Sequence, residues 1–313
     1  MRNDKLSIFG GNSNIALLDE ICRLLRVKRG DAFVGRFTDG EIQVKINQNV
    51  RGDDVFVIQP TCFPANENLM ELLILLDALR RASADRITAV LPYFGYARQD
   101  RKDQPRVPIT AKLIANLLSR AGASRVLTID LHAGQIQGFF DMPLDHLYAV
   151  RTFVEYFTKK NVENLVVVSP DVGGIKMARA YAKDLKADLA IVDKRRINHT
   201  KAEVMNIMGE VEGKNVVIVD DIIATAGSVT EAAAALKNAG AKDIYVTITH
   251  PVLCGPAMER LAASPIKELI VTNTIPIEES KMIGKIKVLS IAPLLGNAIK
   301  RIHNEESISI LFE

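Results

Sequence analysis

Four β-branched residues, Val216-Val217-Ile218-Val219, run straight into two adjacent carboxylates, Asp220 and Asp221. Ala224-Thr225-Ala226-Gly227-Ser228 follows, and then an Ala-rich stretch of helical composition. A continuous apolar run of this length is how a strand buried on both faces reads, and such strands belong to parallel sheets covered by helices. A helix that begins just after the strand brings free backbone N–H groups and the positive end of its dipole to the loop, which suits a phosphate. The carboxylates accept hydrogen bonds from neighbouring hydroxyls. One loop can therefore hold a pentose phosphate at both ends. Ordinary helix capping by Ser, Thr and Gly explains the same letters when they are taken alone.

The rest of the chain repeats this rhythm. Apolar runs at Leu6–Phe9, Ala32–Phe37, Val55–Ile58, Ile87–Leu91 and Val126–Ile129 alternate with Ala/Leu-rich stretches. So do Leu165–Ser169, Leu189–Val192, Val216–Val219, Ile244–Thr249 and Glu268–Val271. The alternation predicts an α/β fold with mainly parallel sheets flanked by helices. The 313 residues suffice for two domains, and a boundary falls near Pro143–Val150, giving domains at 1–149 and 150–313. The final segment, Ile291–Glu313, is a candidate for returning to the first domain. The halves echo one another: Gly52–Pro60 resembles Gly213–Asp221, and Ser83–Ile87 resembles Gly240–Ile244. The first copy carries Gln59-Pro60 where the second carries Asp220-Asp221, so the sugar-phosphate loop belongs to the second half alone.

Composition excludes several classes. A net charge of +3 is too small to argue for a nucleic-acid partner. No apolar run approaches the roughly 18 residues of a membrane span. No signal peptide is visible before Leu6, which predicts a cytoplasmic protein. Cys22, Cys62 and Cys254 are too sparse for a metal site or a disulfide framework, and read as small buried or half-buried residues.

Further polar clusters sit where predicted strands end, which is where open α/β sheets bind ligands. Phe37, Asp39 and Glu41 offer a ring to stack a base and acids to accept from an amine or ribose, although Asp39-Gly40 alone reads as a hairpin turn. Arg98, Arg101, Lys102 and Arg106, set against Asp100 and Asp103, form a cationic loop after Leu91, suited to polyphosphate or simply solvated. His132 beside Asp130, and Asp171 before Gly173-Gly174, are oxygen and nitrogen donors at strand ends. Magnesium needs few such protein ligands when phosphates and water complete its shell. Asp193-Lys194-Arg195-Arg196 closes another strand, with Lys194 and Arg196 on one side by strand parity, as a clamp for a phosphoryl group requires. His146, His199, His250 and His303 lack such company and read as structural or surface residues.

Taken in order, Arg36–Glu41, Asn49–Gly52, Pro92–Arg101, Asp130–Phe140, Ser169–Gly174, Asp193–Arg196, Ala202–Gly213 and Val216–Thr230 resemble the ribose-phosphate pyrophosphokinases over nearly the whole chain. The resemblance implies two duplicated type I phosphoribosyltransferase-like domains, ATP on the first and ribose 5-phosphate on the second. It implies transfer of the diphosphoryl group of ATP to the sugar 1-hydroxyl, with release of AMP. It implies nucleotide contacts from Phe37, Asp39, Glu41, Arg98, Gln99 and His132, and magnesium near His132 and Asp171. It assigns catalytic cations at Lys194 and Arg196, with Arg196 also toward the sugar phosphate. Ribose acids fall at Asp220 and Asp221, and a 5-phosphate cradle at Ala224, Thr225, Ala226, Gly227 and Ser228. Homohexamers, with phosphate and ADP as effectors, also follow from the resemblance.

Three cradle positions depart from the common pattern, which has an acid at Ala224, Gly at Ala226 and Thr at Ser228. Backbone donors survive a Gly-to-Ala change where φ stays negative. Ile197–Thr200 also lacks the usual Pro and Arg, so loop motion and regulation are open to difference. A phosphoribosyltransferase that consumes phosphoribosyl diphosphate needs the sugar loop but not Phe37, Arg98 and His132. A non-catalytic regulatory subunit would keep the fold, and Ala224 leaves it some room.

Overall fold

The computed structural model describes residues 5–195 and 204–311, arranged as two compact α/β units. The first comprises Met1–Tyr148, Thr274–Pro276 and Ser290–Glu313. Its elements begin with β1 (Leu6–Gly10), α1 (Ile15–Leu25), β2 (Ala32–Arg36), β3 (Ile42–Ile46) and β4 (Asp54–Ile58). They continue with α2 (Ala65–Arg81), β5 (Arg86–Leu91), α3 (Thr110–Ala121), β6 (Arg125–Ile129) and β7 (Leu144–Leu147). Five of these strands form a parallel sheet in the order β1-β4-β5-β6-β7, while β2 and β3 form a separate antiparallel ribbon. Every residue of β4 is buried, as a parallel strand covered on both faces requires. Phe9, Val55, Val57, Leu72, Leu76 and Ile114 belong to the core that joins this sheet to its helices.

The second unit comprises Ala149–Asn273 and Ile277–Leu289. It runs α4 (Val150–Lys160), β8 (Leu165–Ser169), α5 (Ile175–Leu185), β9 (Asp188–Arg195), β10 (Val204–Met208) and β11 (Asn215–Ile223). Then come α6 (Gly227–Asn238), β12 (Ile244–Pro251), α7 (Ala257–Ala263), β13 (Glu268–Thr272) and β14 (Ile286–Leu289). The sheet order is β10-β9-β8-β11-β12-β13-β14, parallel except for the β10–β9 pair. The last helix, α8 (Ala292–His303), packs against α1 in the first unit.

The two units share a topology. The series β1, β4, β5, β6, β7 and the series β8, β11, β12, β13, β14 each lie side by side in chain order, with two strands inserted after the first. The inserted pair stands apart as a ribbon in one unit, whereas β9 extends the sheet in the other. The fold class is therefore the expected one: duplicated, mainly parallel sheets flanked by helices. No described helix is long and apolar enough to cross a membrane.

One strand boundary, the end of β11, matters for function. The apolar run Val216–Val219 was expected to stop at the acids, but β11 continues through Asp220 and Asp221 to Ile223. The cause is the length of β12: Asp220 pairs with Ile248 and Ile222 with His250, four positions past the point where β8 stops pairing at Ile218. The acids thus sit in a strand supported on one side only.

Candidate active site

In the second unit the loop after β11 is tied back by its carbonyls. Leu253 N–H donates to Ile223 O at 3.1 Å, and Cys254 N–H to Ala224 O at 2.9 Å. The Arg260 Nη1 group donates to Thr225 O at 3.1 Å. Ala226 O accepts from Thr230 N–H at 3.0 Å and from Thr230 Oγ1 at 2.7 Å. With the carbonyls drawn away, the N–H groups of Thr225, Ala226, Gly227 and Ser228 have no acceptor among the described residues. The last two also open α6, where the first N–H groups have no partner within the helix. Successive unpaired N–H groups around a left-handed residue form a concavity for an anion.

That left-handed residue is Ala226, at φ +61° and ψ 5°. The condition of a negative φ is not met: the loop keeps the turn that glycine favours and carries alanine there under strain. An L-residue in this region costs about 1–2 kcal/mol. Replacing it by glycine removes that cost and adds about 0.4–1 kcal/mol of unfolded-chain entropy. Ala226→Gly should therefore stabilise the protein by about 0.5–1 kcal/mol, seen as a higher urea midpoint at unchanged slope.

The acids lie one strand segment earlier. Asp221 is buried, and its N–H donates to Asp220 Oδ1 at 2.9 Å. Burial pushes the Asp220 carboxyl up to about 8, and the neighbouring charge of Asp221, with a smaller part from Asp171, adds to the shift. Such a perturbation marks a site that wants hydrogen-bond donors or a cation. Asp171 lies exposed just past the end of β8, with its Oδ1 accepting from Gly174 N–H at 2.8 Å. The structure thus gathers Asp171, Asp220, Asp221 and the 224–228 loop at the carboxyl edge of one sheet. Lys194 lies by its backbone in β9, beyond Ile191, the last β9 residue that pairs with β8. Arg196 lies outside the described residues, as do Ile197–Thr200 with His199 and the residues up to 203.

In the first unit Arg98 and Gln99 follow β5, and His132 follows β6, so both loops leave the carboxyl edge of adjacent strands. Gln135 Nε2 joins the loops by donating to Asp100 Oδ2 at 3.0 Å. Arg98 and His132 are exposed, and Arg98 makes no ion pair among the described residues. Gln99 has a second job, since its side-chain oxygen accepts from Thr110 Oγ1 at the start of α3. Phe37, Asp39 and Glu41 sit at the tip of the β2–β3 ribbon, which is a hairpin turn: Phe37 N–H donates to Glu41 O at 2.8 Å. Asp39 Oδ1 accepts from Glu41 N–H at 3.1 Å, and the Phe37 ring is left 49% exposed, available for stacking.

His146, expected to be structural or at the surface, is structural. His146 in β7 is buried, and Leu131 N–H donates to its Nε2 at 2.8 Å. It therefore holds the backbone next to His132. Asp130, on the other side, takes φ +39° and donates its N–H to Leu147 O at 3.0 Å. Only the parallel pairing of β6 with β7, which sequence does not print, brings residue 146 to residue 131. The cysteines divide. Cys22 and Cys62 are buried, and burial pushes both thiols up to about 11, which removes them as nucleophiles. Cys254 is exposed, contrary to expectation, in the turn after β12, where its N–H supports the loop at Ala224.

Two family patterns match this chain: the N-terminal domain of ribose phosphate pyrophosphokinase over residues 6–122, and the phosphoribosyl synthetase-associated domain over residues 194–313. The ribose-phosphate pyrophosphokinase of Bacillus caldolyticus is 57% identical over 309 residues, covering 99% of this chain and 98% of its own. The chain belongs to the ribose-phosphate pyrophosphokinase family. The family member from Corynebacterium ammoniagenes is 55% identical over 310 residues, with 99% of this chain and 98% of its own covered. The crystal structure of phosphoribosylpyrophosphate synthetase from Mycobacterium smegmatis superposes with a TM-score of 0.91 at 42% identity, over 96% of this chain and 100% of that one.

Proposed function

We infer that this chain is a working ribose-phosphate pyrophosphokinase, transferring the diphosphoryl group of ATP to the 1-hydroxyl of ribose 5-phosphate. The observation that carries the reading is the run of four unpaired N–H groups at 225–228 beside two acids, on a chain 57% identical to a family member along its length. Ala224 to Ser228 take the 5-phosphate, and Asp220 and Asp221 accept from the ribose hydroxyls. Phe37 stacks the adenine, with Asp39 and Glu41 as acceptors and Arg98, Gln99 and His132 toward the phosphates. Arg98 has no competing ion pair among the described residues to break first.

The sugar 1-hydroxyl oxygen attacks the β-phosphorus, the bond from that phosphorus to the α,β-bridging oxygen breaks, and AMP leaves with that oxygen. The hydroxyl proton passes to solvent. Lys194 and Arg196 neutralise charge that grows on the transferred group and the leaving AMP. The chain's contribution is positioning and electrostatics, as in phosphoryl transfer generally.

A divalent cation fits the donors present. Asp171 offers a hard carboxylate oxygen, Oδ2, beyond the one that caps Gly174, and the Asp220–Asp221 pair carries charge that burial makes costly. No group of three or more His, Cys, Asp or Glu stands ready among the described residues, so substrate phosphates and water would complete the shell. Asp171 would hold magnesium, which would supply charge neutralisation on the phosphate oxygens; the family resemblance implies His132 as a further magnesium-associated position. A cytoplasmic homohexamer with phosphate and ADP as effectors completes the reading, on family resemblance.

Incubation of the purified chain with ATP, magnesium and ribose 5-phosphate should release AMP only when all three are present. A phosphoribosyltransferase would instead consume phosphoribosyl diphosphate and release no AMP. A regulatory subunit would do neither, and either outcome would refute the reading.

A further inference from the structure

We propose that Arg260 is a positioning residue for the ribose 5-phosphate cradle, acting through the Thr225–Ala226 peptide. The proposal rests on reading 224–228 as the 5-phosphate site. Arg260 lies in α7, outside every motif named above, and its Nη1 donates to Thr225 O at 3.1 Å. The carbonyls on either side are held by the backbone of 253–254 and by Thr230, whereas Thr225 O is held by this side chain.

The geometry of a peptide unit gives that bond its consequence. A trans peptide is planar, with C=O and N–H pointing in opposite directions. Fixing Thr225 O toward α7 therefore fixes the Ala226 N–H toward the opposite, open side of the loop. The alternative is a flip of this one peptide, which carries residue 226 from positive to negative φ. Alanine prefers the flipped state, because φ +61° is strained for any residue with a Cβ. Glycine would be indifferent. A chain with alanine here needs an external hold on Thr225 O, and Arg260 supplies it.

Gly227 makes room for that hold. A Cβ built on Gly227 would lie 3.0 Å from Arg260 Nη1, close enough to push the guanidinium aside. Gly227 is not at positive φ and opens α6, so its backbone does not demand glycine. The space for Arg260 is the reason a side chain is unwelcome there.

The test is steady-state kinetics of AMP release by the full chain, with KM measured separately for ribose 5-phosphate and ATP. Arg260→Gln should raise the KM for ribose 5-phosphate about tenfold, the scale of one charge-assisted hydrogen bond, at unchanged KM for ATP and unchanged melting temperature. Arg260→Lys, which keeps a cationic donor, should recover part of the loss. Gly227→Ala should raise the same KM in the wild-type background and add nothing in the Arg260→Gln background, since contacting residues are not additive. Ala226→Gly should shrink the effect of Arg260→Gln, because the flip is no longer favoured.

An unchanged KM for ribose 5-phosphate in Arg260→Gln, or full additivity with Gly227→Ala, would overturn the proposal. Should Arg260→Gln fail to fold, Gly227→Ala carries the test alone, and an unchanged sugar KM in it is the contrary result. A wild-type chain that releases no AMP overturns the functional reading and this proposal with it. An active wild type with indifferent variants overturns the proposal alone.

Discussion

Lys194→Ala is expected to lower turnover by about a hundred- to a thousandfold, the usual cost of removing one preorganised donor from a developing charge. The expectation follows from placement and chemistry together. β9 runs parallel to β8 and continues past Ile191, its last pairing position with β8, so residue 194 reaches beyond the carboxyl edge where the acids and the anion loop lie. On the proposed assignment, Lys194 acts on charge that grows while the diphosphoryl group is in transit. The loss should therefore fall on kcat, with the KM for ribose 5-phosphate moved little, because the proposed function assigns the sugar phosphate to 220–228. The fold should persist, since β9 pairs with β10 through its backbone at this position. Single-turnover AMP release alongside a thermal melt checks both parts. A near-normal rate would remove Lys194 from the mechanism.

Asp220→Asn should do two opposite things: make the protein more stable at pH 8 and make it a poor binder of ribose 5-phosphate. The Asp220 carboxyl is pushed up to about 8 in the fold by burial and by Asp221. Unfolded, it titrates near 3.8. The folded state therefore binds the proton more tightly than the unfolded state throughout that interval. Stability from this group is fully present below the unfolded value and is lost as pH rises toward 8. Asparagine is neutral throughout and still offers an oxygen to Asp221 N–H. It should flatten the decline and raise stability at pH 8 by about 1–3 kcal/mol. The same change replaces one carboxyl oxygen with an NH2 group that can donate but not accept, so a ribose hydroxyl loses an acceptor and sugar affinity should fall by at least about tenfold. Urea titrations at pH 6 and pH 8, with calorimetry of ribose 5-phosphate binding, separate the two effects. A wild type equally stable at both pH values, or a variant with unchanged sugar affinity, would contradict this account. A gain in stability at the expense of function is what strained or charged active sites show in general.

Sequence made the sheet legible wherever burial was two-sided. Val55–Ile58 and Val216–Val219 are continuous apolar runs because nothing polar fits between two layers of helix, and both are strands. The acid pair was legible for the same reason, as a break in an apolar run. What sequence hid was set by neighbours distant in the chain. Aspartate is a poor strand former, yet β11 carries Asp220 and Asp221 because β12 is long enough to pair with them. The four residues of β7 offer little pattern of their own, and their pairing with β6 brings His146 to Leu131. The positive φ of Ala226 is a property of a loop tied at four carbonyls, two of them to residues 253 and 254. Arg260 reads as one more exposed cation until α7 sets it against Thr225.

If a diphosphoryl group moves intact from ATP to the anomeric oxygen of a sugar bound at the 220–228 segment, phosphorus NMR of the purified chain with ATP, magnesium and ribose 5-phosphate will show it. AMP and a sugar bearing a 1-diphosphate should appear in equal amounts, with the β–γ coupling of ATP carried over into the new ester. Appearance of ADP with a sugar monophosphate at the anomeric position, or no turnover at all, would contradict it.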